Sequence, residues 1–181
     1  MTDRENFISI AKRTGYERMP VSFQMCPDLA RRYEAYIKEH PIEVPWDVDY
    51  LPGLSVTWTP PEVFLEKYYR GKCFKPGTVV NEWGVAHEPG SEAAYHMTYM
   101  HHPMDGFDSV EQIESYPFPV FDLSALPAMN DRAAAIHASG RPAMGGMQTT
   151  VWERAWYMRG MENLMCDMMA EDDMATVLLD K

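Results

Sequence analysis

Hydrophobic and polar positions follow their clearest pattern near the end of the printed sequence, over residues 145–181. Small and apolar residues at 141–148 are typical of a short buried strand. Thr150 and Glu153 then stand at the spacing of a capping box, in which two side chains satisfy backbone N–H groups at the start of a helix. The pattern therefore predicts a strand, a turn and a helix that begins at Val151.

This predicted helix is apolar on most of its circumference. Apolar side chains recur throughout residues 151–169 instead of forming one stripe, so we expect a long helix that is buried on several sides. Gly160 lies inside it and lowers helix propensity by about 1 kcal/mol relative to alanine, which close approach of another backbone would explain. The acidic residues 171–173 predict a second, short helix over residues 174–179, because their charge complements the positive end of the helix dipole.

The rest of the chain carries weaker start and stop signals for both kinds of element. Capping-box spacings predict helices after Thr2 and after Ser109. Short apolar or alternating runs predict strands, and Pro or Gly marks many of the element ends. The predicted helices cover residues 2–15, 27–40, a start at 59–62, 109–116 and 128–139, and the predicted extended segments cover residues 19–25, 54–57, 78–87 and 93–104.

The order of these elements predicts the fold class. Helices and strands alternate in the second half of the chain, which favours an α/β fold with mainly parallel strands. The extended segments 78–87 and 93–104 are separated by Glu-Pro-Gly-Ser, a composition suited to a turn, so we expect an inserted β-hairpin. We find no internal repeat and expect one domain, incomplete at residue 181.

Composition and charge narrow the function classes. The net charge of −11 makes a general nucleic-acid surface unexpected, since phosphate binding needs clustered Lys and Arg. A content of 46% hydrophobic residues favours a globular fold over disorder. Cys26, Cys73 and Cys166 are odd in number and far apart, so we expect free thiols and a cytoplasmic protein. We expect neither a leader peptide nor a membrane partner, because no suitable apolar run is present.

Three segments carry a resemblance to a known family. They are WERAWYMRGMENLMCDMMAEDD at residues 152–173, NEWGVAHEP at 81–89, and residues 105–119. With them the chain resembles the uroporphyrinogen decarboxylase superfamily, which includes porphyrinogen decarboxylases and corrinoid or coenzyme M methyltransferases. The resemblance implies a (β/α)8 TIM barrel with its site at the carboxyl ends of the strands. Residues 1–181 would form an N-terminal, partial barrel domain.

The resemblance implies two activities. In the decarboxylases, an arginine-rich turn after the first strand binds substrate carboxylates. Here Met25 and Cys26 occupy that region, and Arg31 and Arg32 lie further on, in a predicted helix. We therefore expect a methyltransferase that acts with a corrinoid or a thiol methyl acceptor, with uroporphyrinogen decarboxylation in porphyrin biosynthesis as the alternative. The family also implies a corrinoid and zinc, and we expect the zinc ligands beyond Lys181.

Seven residues are candidates for the site. Tyr157 matches a tyrosine that faces the substrate in the decarboxylases, and Glu82 lies in the region where those enzymes place an aspartate beneath the pyrrole nitrogens. These two are the candidate catalytic residues; the alternatives are a core tyrosine and a solvated carboxylate at a strand end. The candidate substrate-binding residues are Gln24, Trp83, Gln148, Thr149 and Trp152.

Three further residue types suggest chemistry that the pattern does not favour. The histidines His87, His96, His101 and His102 lie on the predicted hairpin, but their spacing matches no recognised ligand set, so we predict no metal site there. Cys26 follows the first predicted strand and is a weaker candidate for a reactive thiolate. The 15 methionines are more typical of adaptable core packing than of a cofactor site.

A binding role without catalysis is the third hypothesis. A half-barrel would expose strand edges and apolar helix faces, so the chain could be a binding module that dimerises to cover them. For the enzyme hypotheses we expect a small-molecule substrate, a corrinoid protein as a partner of the methyltransferase, and a homo-oligomer.

Overall fold

The computed structural model describes residues 1–22, 25–41, 47–91, 98–146 and 149–181. Within these ranges the chain has a mixed α/β fold with eight α-helices and seven short strands. It divides into two compact units. The first unit comprises Met1–Ser55 with Leu123–Gly146, and the second comprises Val56–Asp122 with Met147–Lys181. The helices of the described ranges are too short or too polar to cross a bilayer.

The first eight elements are two helices, two strands, a helix and three strands. Helices and strands alternate over the next four elements, and three helices follow. In chain order they are α1 (Asp3–Ala11), α2 (Pro27–Glu39), β1 (Asp49–Tyr50), β2 (Val56–Thr57), α3 (Pro61–Tyr68), β3 (Val79–Val80), β4 (Ala86–Glu88), β5 (Tyr99–His101), α4 (Val110–Glu114), β6 (Val120–Phe121), α5 (Leu126–Ala138), β7 (Ala143–Met144), α6 (Val151–Arg159), α7 (Met161–Met169) and α8 (Asp173–Leu179). A 3-10 turn, Leu123–Ala125, precedes α5.

In the first unit, a charge network holds the segment after α1. The Arg18 guanidinium donates to Asp47 at 2.6 Å and to Asp3 at 2.6 Å, and the Val21 N–H donates to the same Asp47 carboxylate. Hydrogen bonds from Arg18 hold the pKa of the buried Asp47 carboxyl below its ordinary value. Strands β1 and β7 pair in parallel beside this network.

The second unit contains a three-stranded antiparallel sheet in the order β3-β4-β5. The antiparallel pairing of β4 with β5 is the predicted hairpin pairing. The sequence did not predict that β3 and β4 are separate strands, which fold back on each other at residues 81–85. Strands β2 and β6 form a second antiparallel pair in this unit.

The main hydrophobic core lies in the second unit. Phe64 of α3, Ile113 of α4, Met158 of α6 and Leu164 of α7 are its large, fully buried side chains, together with Met104 from the loop after β5. Phenol groups reach the sheet backbone from this core. The Tyr69 hydroxyl lies 2.8 Å from the Gly84 carbonyl and 2.7 Å from the His101 carbonyl, and its burial raises the pKa of the phenol.

Several helix predictions are confirmed at their starts. All three predicted capping boxes form: Thr2 with Glu5, Ser109 with Gln112, and Thr150 with Glu153. Helix α8 begins after Asp172, whose carboxylate accepts the Met174 N–H at 2.8 Å. Gly140 ends α5 with a φ of 80°, as the stop signal predicted.

The long final helix is a prediction that the structure corrects. Gly160, with φ 86° and ψ 136°, leaves the helical region and divides the segment into α6 and α7. A Cβ at this glycine would lie 3.4 Å from the His102 ring, so the close approach involves a side chain and not another backbone. The prediction of burial on several sides is also wrong, since Trp152, Met165 and Met169 are among the exposed residues.

The strand predictions are corrected in direction and extent. Of the four strand pairs in the described ranges, only β1 with β7 is parallel, so the predicted dominance of parallel pairs does not hold there. The predicted first strand is not formed at residues 19–22 or at Met25, and residues 23–24 lie outside the described ranges. The small sheets are open in the described residues, and the barrel stays a prediction.

Candidate functional site

The turn between β3 and β4 carries two predicted site residues, Glu82 and Trp83. Its shape follows from Asn81, whose side-chain oxygen accepts the N–H groups of Trp83 and Val85, each at 3.0 Å. The backbone turns through Gly84, with φ 76°, and the Gly84 N–H donates to the Asn81 carbonyl. Short side-chain-to-backbone bonds of this kind stabilise a turn locally. Glu82 and Trp83 are therefore half-buried at a fixed sheet edge.

Helix α6 contributes a cation to this edge. The Arg154 guanidinium lies over the Trp83 ring, 5.1 Å from its centroid, and Phe121 packs 6.3 Å from the Trp83 ring in a tilted arrangement. The capping box of Thr150 and Glu153 fixes the first turn of α6, from which Arg154 projects. No carboxylate of the described ranges lies within ion-pair distance of Arg154. The Arg154 charge therefore interacts with the face of the Trp83 ring and is available to a bound ligand.

His87 lies beside this turn as a neutral imidazole. Since Asn81 uses its oxygen for backbone N–H groups, its amide nitrogen faces His87 Nε2 at 3.2 Å and donates to it. His87 Nδ1 then carries the proton and donates to Thr98 Oγ1 at 2.8 Å. Burial lowers the pKa of His87, Glu82 opposes that shift, and the nearby Arg154 adds to it. Both ring nitrogens are engaged, so His87 acts as a polar wall of the site.

A second histidine connects the site to the end of α6. His102 Nδ1 lies 2.8 Å from the Tyr157 carbonyl, so the ring donates its proton there. The Trp156 ring stands edge-on to His102 at 6.4 Å and to Tyr157 at 4.2 Å. This arrangement leaves His102 Nε2 as the acceptor nitrogen. Tyr157 itself is half-buried and packs against the core. This predicted residue lies next to the site, because its carbonyl contacts His102 and its ring contacts Trp156.

Of the four remaining predicted site residues, the structure describes two, Trp152 and Thr149. Trp152 is partly exposed on the first turn of α6. Thr149 is half-buried, and its Oγ1 is fully buried with no hydrogen-bond partner in the described part of the chain. Gln24 and Gln148 lie outside the described residues. The structure thus brings Glu82 and Trp83 together with α6, which carries Trp152 and Tyr157.

A buried ion pair holds the helices behind the site. Arg159 donates to Asp167 through two nitrogens, at 2.8 and 3.1 Å, and its third nitrogen donates to the Met104 carbonyl at 2.8 Å. The same nitrogen also approaches the Phe107 carbonyl at 3.0 Å. A fork of this geometry needs arginine, because lysine presents one point of charge. Arg159 therefore joins α6, α7 and the loop after β5 across the break at Gly160.

Among the described residues, the other histidines and the cysteines lie outside the candidate site. His101 Nε2 lies 3.2 Å from the Glu88 carboxylate, and Lys75 lies 3.4 Å from the same group. Burial of Glu88 would raise its pKa, but the adjacent His101 ring and the hydrogen bond and charge of Lys75 outweigh that effect and hold the pKa low. His96 lies outside the described residues. The cysteines are free and exposed: Cys26, Cys73 and Cys166.

Metal ligands do not converge in the described ranges. No three His, Cys, Asp or Glu side chains there are close enough together to hold a metal ion. The described residues thus do not provide the zinc ligands that the family resemblance implies.

In the first unit, Arg31 and Arg32 lie on the exposed surface of α2, paired with Asp28 of the same helix, at 3.0 and 3.6 Å.

Several residues of the site were not predicted from the sequence. Asn81 and Arg154 define its geometry, and Thr98 and Trp156 complete it. Asn81 had a usable signal, since Asn shortly before Gly favours a side-chain-bonded turn. Arg154 had none, because nothing in the spacing of residues relates α6 to the turn after β3.

Comparisons of the chain with protein-family models, with curated proteins and with solved structures found no match.

Proposed function

We propose that the chain is part of a uroporphyrinogen decarboxylase-like (β/α)8 barrel, and that its function is methyl transfer with a corrinoid or a thiol as the methyl acceptor. One observation carries this proposal. Two of the three segments that carry the resemblance, residues 81–89 and 152–173, are far apart in sequence, yet Arg154 of one lies over the Trp83 ring of the other. Segments that share a function in a family are expected to meet at its site.

The chemistry of the site favours a small ligand over a polycarboxylate. Its aromatic side chains include Trp83 and Trp156. Besides Glu82, Asn81 and His102, its polar groups are the neutral imidazole of His87 and one guanidinium, that of Arg154. A substrate with several carboxylates needs several cations for bidentate binding. Arg31 and Arg32, the arginines nearest to the decarboxylase pattern, instead pair with Asp28 on α2. The methyltransferase proposal therefore agrees better with the described side chains than the decarboxylase alternative does.

The roles assigned to individual residues follow from these contacts. Trp83 and Trp156 would bind the apolar methyl-bearing part of the ligand through ring contacts. Arg154 would orient an anionic or polar group, since it has no carboxylate partner in the described ranges. Glu82, in the turn between β3 and β4, and Tyr157, on α6, remain the candidate catalytic groups.

The proposal can be tested with the chain as it stands. Methylcobalamin and coproporphyrin, a tetrapyrrole with four carboxylates, are titrated into the protein while tryptophan fluorescence is measured. Arg154→Ala and Trp83→Leu are the site variants, and Arg132→Ala, an exposed arginine of α5, is the matched control. We expect methylcobalamin to bind, and each site variant to weaken binding about threefold to tenfold, as for loss of one exposed cation–π or ring contact.

A second measurement follows the reaction itself. The protein is mixed with methylcobalamin and a small thiol, and the methyl thioether product is measured by mass spectrometry. Transfer that depends on Trp83 and Arg154 agrees with the proposal. Preference for coproporphyrin over methylcobalamin favours the decarboxylase alternative, and binding of neither compound would contradict both enzyme hypotheses.

A further inference from the structure

Helix α7 exposes the apolar side of its surface. Its methionine stripe, defined here as Met161, Met165, Met168 and Met169, follows the spacing of one helical face. The exposed fractions of the four residues are 43%, 49%, 46% and 84%. Only Leu164 among the apolar residues of the helix is fully buried. An apolar stripe on a surface helix normally faces the core, so this orientation is unusual.

Polar contacts on the opposite side hold the helix in this orientation. The Asn163 amide donates to the Asp105 side chain at 2.9 Å and approaches the Asp105 carbonyl at 3.2 Å. Asp167 is fixed by the two hydrogen bonds from the buried Arg159. The Arg159–Asp167 bonds are part-buried and the Asn163–Asp105 bonds lie at the surface, and neither set can form if the helix rotates to bury its methionines. The exposure of the stripe is therefore determined by specific contacts in the structure.

The charged residues next to the stripe in sequence, within residues 160–180, are all acidic. Glu162 lies at its N-terminal end, and Glu171, Asp172 and Asp173 lie just past its C-terminal end, and all four are exposed. Residues 160–180 contain no Lys, Arg or His. Self-pairing of the stripe would bring acidic ends together whether the two helices ran parallel or antiparallel. Like charges opposed at an interface reduce affinity and select against that partner.

We propose that the methionine stripe is a docking surface for a basic amphipathic helix of a partner protein. Unbranched, polarisable methionine side chains adapt to different apolar surfaces, which suits them to bind such a helix. The stripe spans eight residue steps, or about 12 Å at 1.5 Å per residue, which matches two to three turns of a bound helix. Lys and Arg of the partner would pair with Glu162, Glu171 and Asp173. This surface is independent of the proposed methyl-transfer site.

The test uses three synthetic peptides as probes. The first, of about 14 residues, places Leu on one helical face and Lys elsewhere; the second has the same composition with the Leu pattern disrupted; the third replaces Lys by Glu. Binding is measured by fluorescence anisotropy, and the methionine ε-methyl signals are followed by NMR. We expect the first peptide to bind best, to shift the methyl signals of the stripe, and to bind more weakly as salt is raised.

Matched variants separate the apolar and charged parts of the surface. Met165→Gln with Met168→Gln should raise Kd at least about tenfold, because each substitution removes apolar surface that the partner helix would bury on binding. Glu162→Gln with Glu171→Gln should raise Kd about threefold at low salt. The controls are Leu29→Gln for the apolar change and Glu34→Gln with Glu39→Gln for the charge change, all at exposed positions of α2.

Three outcomes would overturn the proposal. Equal binding of the basic and acidic peptides would show unspecific apolar attraction. Self-association that is lost in the Met165→Gln and Met168→Gln protein would identify a second copy of the chain as the occupant. Absence of binding by the basic peptide, with the variants still folded by circular dichroism, would also contradict it. None of these outcomes depends on whether methyl transfer is observed.

Discussion

Substitution of Gly84 by alanine tests how the turn of the candidate site is held. A Cβ at this position would lie 2.7 Å from two ring carbons of Phe64 and closer still to the Tyr116 hydroxyl, which donates to the Trp83 carbonyl at 2.7 Å. The positive φ of 76° costs alanine about 1–2 kcal/mol. Forcing the extra carbon into a packed core adds about 1–3 kcal/mol. We expect Gly84→Ala to lower the free energy of unfolding by about 2–5 kcal/mol.

Gly71→Ala provides the control, because Gly71 has a similar φ of 80° but no other atom within 4 Å of the position of the new Cβ. Only the conformational cost of about 1–2 kcal/mol applies there. Unfolding in urea is followed by tryptophan fluorescence, since four of the five tryptophans belong to the second unit. With a slope of about 2 kcal/mol per M, the midpoint should fall by about 1–2.5 M for Gly84→Ala and by 0.5–1 M for Gly71→Ala. Equal shifts would refute the claim that steric contact with Phe64 and Tyr116 requires this glycine.

Two further predictions concern groups that support the site. Burial holds the pKa of His87 in the folded protein below its ordinary value of 6.5. The contribution of His87 to stability is therefore present above pH 6.5 and is lost as the pH falls through the pKa of the folded state. Asn81→Asp should raise the His87 pKa in an NMR titration, and an unchanged or lower pKa would contradict the assigned hydrogen bond. Arg159→Met should cost about 3–5 kcal/mol in urea unfolding, because Asp167, whose side chain is only 13% exposed, would stay unpaired. A cost below about 1 kcal/mol would argue against this ion pair.

Local signals predicted much of the helical structure because they depend on residues close in sequence. A capping box needs only Thr150 and Glu153, and the stop at Gly140 needs only the conformational freedom of one residue. The break at Gly160 could not be predicted in the same way. Apolar residues continue on both sides of it, at Met158 and Met161, and the positive φ becomes evident only where the chain packs against His102.

The candidate site depends more on contacts between distant parts of the chain. The sequence identified Glu82 and Trp83, but the partner of Trp83 is Arg154, 71 residues away. The role of Arg159 likewise depends on residues outside its own helix, namely Asp167 and carbonyls of the loop after β5. Pairing direction in the sheets is likewise a long-range property, which explains why alternating elements predicted parallel strands while most described pairs are antiparallel.

The exposed methionines of α7 also give the molecule a defined order of chemical oxidation. Peroxide converts a methionine thioether into a polar sulfoxide, and accessible sulfur atoms react first. Met165 and Met169 are open to solvent, whereas Met104 and Met158 are buried in the core of the second unit. Mild oxidation would therefore make the surface of α7 polar while the core retains its thioethers, so the protein could stay folded as this helix loses its apolar character.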